Sequence, residues 1–258
     1  MENLNNMQNT KAMEIKKEIV KRVQDKAKAF EVATLHNTTN EVVRFPVLKE
    51  GAEAFIVGEG DIIEKSNIDL NYVDVKLQKV CTIIPVSREQ IDFSSLNVTT
   101  EIKNCIGDAI AKKIDSTLLE LLKSVGAEVT GSGKLEDDLN ELFSKVEEKN
   151  EVGAVILPKA KKKDLRALKN DANNKGDVTV NSVYGVTPTF VGEDVIAVDK
   201  ERVVICVKDD VHFEILKEAC ITIDGNLVSL AERNLVGVKA YIYIGMGVLE
   251  NTGVAKLV

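Results

Sequence analysis

The chain has 258 residues, 44% hydrophobic and 29% charged, which is ordinary usage for one or two globular domains with length enough to bury a core. Its net charge is −7, from 34 Lys+Arg against 41 Asp+Glu, and aromatics are 4% with no Trp. That balance argues against a protein that grips nucleic-acid backbone or stacks bases. No apolar run reaches the roughly 20 residues of a membrane helix, and residues 1–8 lack the apolar centre of a signal peptide, so a cytoplasmic chain is expected.

The spacing of Ala12, Ile15, Ile19, Val23, Ala27 and Phe30 predicts one amphipathic helix over 11–30. Residues 11–28 hold seven Lys/Arg and three acids, a local +4. This is either a solvated helix face or an arm that meets an acidic neighbour or DNA. Residues 41–80 read as two extended runs joined by a stretch with Gly51, Gly58 and Gly60, a long hairpin. Val73, Val75 and Leu77 alternate with Asp74, Lys76 and Gln78, so one face is covered and one is wet. A two-stranded ribbon is marginal in water and needs another surface to lie on.

Residues 100–125 carry the strongest helix signal. Ile102, Cys105, Ile106, Ala109, Ile110, Ile114, Leu118 and Leu122 make one stripe, with Thr99 or Thr100 as cap and Gly126 as stop. A short acidic helix over 135–149 turns Leu139, Leu142, Phe143 and Val146 inward. The pattern then becomes mixed: a strand at 154–157, a helix at 159–169, and short strands within 183–191, 195–198, 203–207 and 211–216. The last element, 236–249, has period two from Val236 to Val248 and predicts a long strand beside the long helix.

No chemistry-bearing motif stands up. Gly131-Ser-Gly-Lys134 resembles a phosphate-loop fragment, but Glu128 stands where its first glycine belongs and Leu135 where Ser or Thr belongs, leaving a surface turn. Ser87 and His212 are parts of a nucleophilic triad without a nucleophile elbow; Ser87 reads as a helix cap and His212 as a structural strand residue. The pairs Asp137/Asp138 and Glu147/Glu148 read as solvated faces, and Lys161-Lys162-Lys163 is too short for a nucleic-acid patch. Cys81, Cys105, Cys206 and Cys220 are far apart and read as buried, reduced thiols. Two histidines are too few for a zinc site. The expectation is no catalytic residue, no cofactor and no metal: not an enzyme, but a protein that contacts copies of itself.

The order of elements carries a resemblance. Pro85-Val-Ser-Arg-Glu89, followed by Ala109-Ile-Ala-Lys-Lys-Ile-Asp115, resembles the entry into, and the body of, the spine helix in major capsid proteins of tailed phages with the Hong Kong 97 fold. Ile156-Leu-Pro158, Val183-Tyr-Gly-Val-Thr-Pro188 and the run from Ala231 to Met246 are similar to later parts of that family in the same order. The resemblance implies an α+β fold with an N-arm over 1–40 and an extended E-loop over 41–79. It implies a peripheral domain over 80–151 and 225–258 with spine helix 100–125, and an inserted α/β axial domain over 152–224. It implies hexamers and pentamers that close into an icosahedral phage head around double-stranded DNA, without sequence-specific binding and without a membrane.

Further expectations follow from the family. The short N-terminal region implies a separate scaffolding protein, unless the arm does that work; a portal protein and a maturation protease are the other partners. The shell is expected in the virion, after assembly in the host bacterial cytoplasm. Some members join an E-loop lysine to a neighbour's asparagine; Lys49, Lys65 and Asn251 are the candidates, with solvated surface residues as the plainer reading. Encapsulin shells, which package enzymes, share the architecture and form the alternative, and a monomeric α/β binding module is the third class.

Overall fold

The computed structural model describes residues 17–50, 68–89, 97–168, 178–208, 212–216, 220–223 and 226–258. Helix α1 covers 17–26 and α2 Ala29–Val32. Strand β1 is Thr34–Thr38, β2 Val42–Glu50, β3 Asp69–Lys76 and β4 Gln78–Ser87, and helix α3 is Asn97–Val125. Then come β5 (Ala127–Val129), α4 (Leu135–Glu147), β6 (Ala154–Leu157), a 3₁₀ turn at Lys159–Lys161 and α5 (Lys162–Leu168). Strands β7 (Pro188–Phe190), β8 (Ile196–Val198), β9 (Val203–Lys208), β10 (His212–Leu216), β11 (Cys220–Ile223) and β12 (Asn226–Ser229) lead to β13 (Leu235–Val248). A 3₁₀ turn at Asn251–Gly253 and β14 (Val254–Leu257) close the chain.

Strand β13 organises the first sheet. One of its edges pairs antiparallel with β4 from Leu235 to Ile244; the other pairs with β10 and then with β9, while β1 adds parallel to β9. The period-two face foreseen in the sequence is buried at Val236, Val238, Ala240, Ile242 and Ile244. Against it lies the ridge Ile106, Ile110, Ile114, Leu118 and Leu122 of α3, every one at most 2% exposed. At 29 residues, α3 is about 44 Å long at 1.5 Å per residue. It starts at Asn97, so Thr99 and Thr100 lie inside its first turn rather than capping it. Its stripe is narrower than the periodicity predicted: Cys105 and Ala109 are exposed at its flank.

The second sheet runs β5-β14-β8-β6-β7. Strand β6 is buried at all four residues because both its faces are covered. Val155 and Leu157 meet Leu139, Leu142, Phe143 and Val146 of α4 and Leu165 of α5. Ala154 and Ile156 join the α3 core on the other side. The span 152–224 therefore supplies strands to both sheets: β6, β7 and β8 to the second, β9 and β10 to the first.

The helix expected over 11–30 is broken; its first six residues lie outside the described residues. The break falls at Ala27 and Lys28. There the Ala29 N–H donates to Asp115 Oδ1 on α3 at 2.8 Å, so a carboxylate from the spine caps α2 where a continuous helix would have used its own carbonyl. Burial pushes the Asp115 carboxyl above its ordinary range, more than the amides of Ala29 and Lys28 pull it down. The buried-thiol expectation holds only for Cys206, which burial also pushes up; Cys81, Cys105 and Cys220 are exposed.

Helices α1 and α3 approach closely at Gly107. A Cβ there would stand 2.6 Å from Arg22 Cγ and 3.0 Å from Arg22 Cβ, while the Arg22 guanidinium donates to Asp108 at 2.8 Å. Those are near-backbone atoms, so Gly107→Ala forces α1 outward. It is expected to destabilise the subunit by about 1–2 kcal/mol, despite Ala's better helix propensity. In an Arg22→Ala background most of that cost should vanish, a non-additivity readable in a thermal-melt double-mutant cycle.

Asp115 gives a second test with a defined sign. Its folded pKa is raised, so the folded state holds the proton longer than the unfolded state does. Its contribution therefore declines as pH rises from below the ordinary carboxylate value through the raised one. Asp115→Asn keeps an acceptor for Ala29 and is expected to match or exceed the parent's melting temperature at pH 7. Asp115→Ala is expected to cost about 1 kcal/mol through the lost cap.

Candidate assembly surfaces

Strands β2 and β3 form the expected hairpin; the tip, 51–67, lies outside the described residues, and with it Lys65 and Gly51, Gly58 and Gly60. Directly paired residues share a face, so the register divides the hairpin in two. Val43, Phe45, Val73 and Val75 face the protein and build a small third core with Val204 and Cys206. The base of the hairpin is seated there because β13 carries two glycines: a Cβ at Gly247 would stand 2.5 Å from Val75 Cγ2, and one at Gly245 2.9 Å from the Lys76 carbonyl. This supplies the underlying surface that a two-stranded ribbon requires.

The other face is apolar and open. Leu48 is 54% exposed, Leu70 47% and Tyr72 54%; Leu48 pairs with Leu70, and Tyr72 with Pro46. Beside them Arg44 chelates Asp74 through Nε at 2.7 Å and Nη2 at 2.8 Å, and its guanidinium lies 5.8 Å from the Tyr72 ring centre. Arg44 holds the Asp74 carboxyl below the usual carboxylate range. A flat apolar strip with a fixed ion pair suits contact with another protein surface, since nothing among the described residues covers it. The alternation of 42, 44, 46 and 48 carried this signal, hidden by Pro46 and by charged neighbours.

Next to the hairpin base, β4 is an edge strand of the first sheet, and a groove of about 500 Å³ opens between its start and α3. Gln78, Lys79 and Cys81 form one wall, and Lys113, Thr117 and Leu121 the other. Pro85 and the exposed Lys79 limit open-ended pairing along this edge.

The residues weighed as sites fall apart from one another. Lys49 is an exposed hairpin residue with Nζ 3.3 Å from Asp69. Asn251 is exposed at the start of the turn between β13 and β14. Ser87 pairs with Leu235 on one edge of β13, whereas His212 pairs with Tyr241 on the other, six residues away. That offset alone is about 20 Å at the rise of a strand. His212 stacks on Tyr241 at 4.6 Å. The Gly131–Lys134 stretch is a turn, with Gly133 at φ 86°, and its amides are already engaged: the Ser132 N–H and Oγ both donate to Asp138 Oδ1. Asp138 is 5% exposed, so it is a buried turn-tying residue and not part of a solvated face. Among the described residues, no group of three or more His, Cys, Asp or Glu could hold a metal ion, and no helix is long and apolar enough to cross a membrane.

Of the α1 cations, Arg22 alone is answered within the subunit, while Lys17, Lys21 and Lys26 are exposed with no ion-pair partner among the described residues. Arg22 is bound to Asp108, Lys28 meets Glu31, and Lys103 of α3 reaches Glu18 at 2.5 Å. Ile19, Val23 and Ala27 are buried on the spine. The described part of the N-terminal region is thus a packed element of the core.

Comparison with known proteins agrees with this architecture. The curated major capsid protein of Staphylococcus phage 80alpha is 20% identical over 270 residues, covering 93% of this chain and 82% of that protein. A solved structure from Mycobacterium phage Adephagia superposes with a TM-score of 0.71 at 20% identity, covering 90% of this chain and 89% of that one. The capsid of a native GTA particle superposes with a TM-score of 0.65 at 12% identity, covering 90% and 89%. The profile described as Phage capsid family matches residues 9–258, and with nearly the whole chain inside that match, the protein belongs to the phage capsid family.

Proposed function

We propose that copies of this capsid protein join as hexamers and pentamers into an icosahedral head that encloses double-stranded DNA. The observation that carries the reading is the hairpin: a ribbon anchored at its base by Val75 over Gly245 and Gly247, with Leu48, Leu70 and Tyr72 exposed. Burying such a strip on a neighbour contributes about 25 cal/mol per Å² of apolar surface, and many repeats of a modest contact stabilise a closed shell. The two sheets support an axial-type body around β5, β14, β8, β6 and β7 and a peripheral-type body around β13. In this reading the chain passes from one body to the other near residue 200, since β9 and β10 pair with β13. Assembly in the bacterial cytoplasm, with a separate scaffolding protein, a portal and a maturation protease, belongs to the same proposal. DNA is enclosed rather than tightly gripped, in keeping with the net −7.

The double variant Leu48→Asp/Tyr72→Asp tests the assembly reading. Both side chains are exposed, so the unassembled subunit's melting temperature should move by no more than about 0.5 kcal/mol equivalent. Sizing chromatography and electron microscopy should show shells for the parent and only small oligomers for the variant. Normal closed shells from the variant would refute the role given to this face. Covalent locking has a simpler check: Lys49 is paired with Asp69, and Asn251 is a solvated turn residue. Boiled shells are therefore expected to run as a single band at 28.3 kDa, and a ladder of multiples would contradict this.

A further inference from the structure

A basic ridge stands on the second body, away from the hairpin. The 3₁₀ turn and α5 hold Lys159, Lys161, Lys162, Lys163 and Arg166 with Asp164 as their one acid, a net +4 in a chain of net −7. Leu165 is fully buried and fixes the segment to the sheet, so its opposite side must face out. Lys161 meets Asp164 at 3.6 Å, and Lys162 lies over the Phe190 ring at 4.2 Å. Lys159, Lys163 and Arg166 are exposed at intervals of four and three, and among the described residues none has an ion-pair partner. Beside them stand the small exposed residues Ala160 and Ala167 and the exposed Asp164, whose charge is met by Lys161. On α1, Arg22 is bound to Asp108, and Lys17, Lys21 and Lys26 are exposed without an ion-pair partner among the described residues, which makes those three lysines the natural comparison set.

We infer that the Lys159–Lys163–Arg166 ridge is a contact for the phosphate backbone of double-stranded DNA, weak and independent of sequence. The inference rests on the reading that the shell encloses DNA. Phosphate contact needs only exposed Lys or Arg at short spacing, and the ridge offers that and nothing else. A protein partner would want an apolar or aromatic anchor at the centre of its footprint, and the ridge has none: Phe190 sits beneath Lys162. Base readout would want Asn, Gln or a stacking ring, which are also absent from 159–168. The three-lysine run judged too short in the sequence becomes a site because folding adds Lys159 and Arg166 to Lys163 on one side.

The test is binding of a labelled DNA duplex to unassembled full-length subunits over a salt series. The ridge variant Lys159→Gln/Lys163→Gln/Arg166→Gln is compared with the control Lys17→Gln/Lys21→Gln/Lys26→Gln on α1. Each phosphate contact adds about −0.9 to the slope of log K against log salt, so the ridge variant should be shallower by about 2–3 and bind at least about 10-fold more weakly at low salt. The control should keep most of the parent's affinity and slope. An unchanged ridge variant, or loss in the α1 variant instead, overturns the assignment. Displacement of DNA from the parent by polyglutamate at equal charge concentration, with no such competition in the ridge variant, would assign the ridge to an acidic protein and also overturn it. The ridge variant should still form closed shells. Failure of parent and variant alike to form shells would count against the shell reading, whereas unchanged DNA binding counts against the ridge alone.

Discussion

The contact between the isoleucine-leucine ridge of α3 and the even-numbered face of β13 is what the remainder of the fold hangs on. A 14-residue strand has two edges and two faces, and this one uses all four. One edge takes β4; the other takes β10 and β9 in succession. One face takes α3; the other takes the hairpin base at Gly245 and Gly247 and leaves Tyr241 and Tyr243 beside His212. Each buried isoleucine or leucine in such a ridge contributes roughly 1.5–3 kcal/mol, so five of them offset about a quarter of the backbone entropy of ordering a 29-residue helix. Short helices α1 and α2 then join the same core beside α3 through Ile19, Val23 and Val32.

Where one periodic signal decided an element, it was legible in the sequence. Helix α3, strand β13, helix α4 and strand β6 all stand on runs whose apolar spacing fits a single period. The arrangement of elements also followed, because Pro85-Val-Ser-Arg-Glu89 and the spine run occur in order. What escaped depended on partners distant in the chain. The break after α1 is imposed by Asp115, 86 residues away, which no local propensity contains. Cys105 fits the helical stripe by spacing, yet it stands exposed at the flank of the buried ridge that begins at Ile106. Asp138 looked like one of two adjacent surface acids, but folding turned it toward Ser132. The two candidate contact surfaces were obscured for a common reason. Alternation at 42–48 and the basic residues at 159–166 acquire meaning only once the opposite side of each segment is pinned, by Val75 and by Leu165.

Charge follows the same division. Most ion pairs are exposed and contribute little each, roughly 0–1 kcal/mol for a surface pair. Their placement matters more than their number. Arg22 with Asp108 fixes α1 on the spine, and Arg44 with Asp74 stiffens the hairpin, so these cations are spent inside the subunit. An acidic surplus elsewhere keeps copies soluble before they meet, since like net charge opposes premature association. Apolar strips can then be displayed without indiscriminate aggregation, provided that they are short and framed by charge.

The glycines of β13 tie the assembly surface to the core. A period-two strand carrying side chains at 245 and 247 would hold the hairpin base several ångströms off the sheet, and the third core of Val75, Val204 and Cys206 would not close. With Gly at both positions, Val75 is 2% exposed and the Lys76 carbonyl lies on the strand. A load applied to the outer face of the hairpin therefore passes to β13 directly, and from β13 to α3 through packed isoleucines. Close-packed interiors transmit displacement because they compress little. The outer face of the hairpin is exposed at Leu48, Leu70 and Tyr72, yet its root at Val75 is 2% exposed, so the exposed strip and the spine are joined by packed side chains.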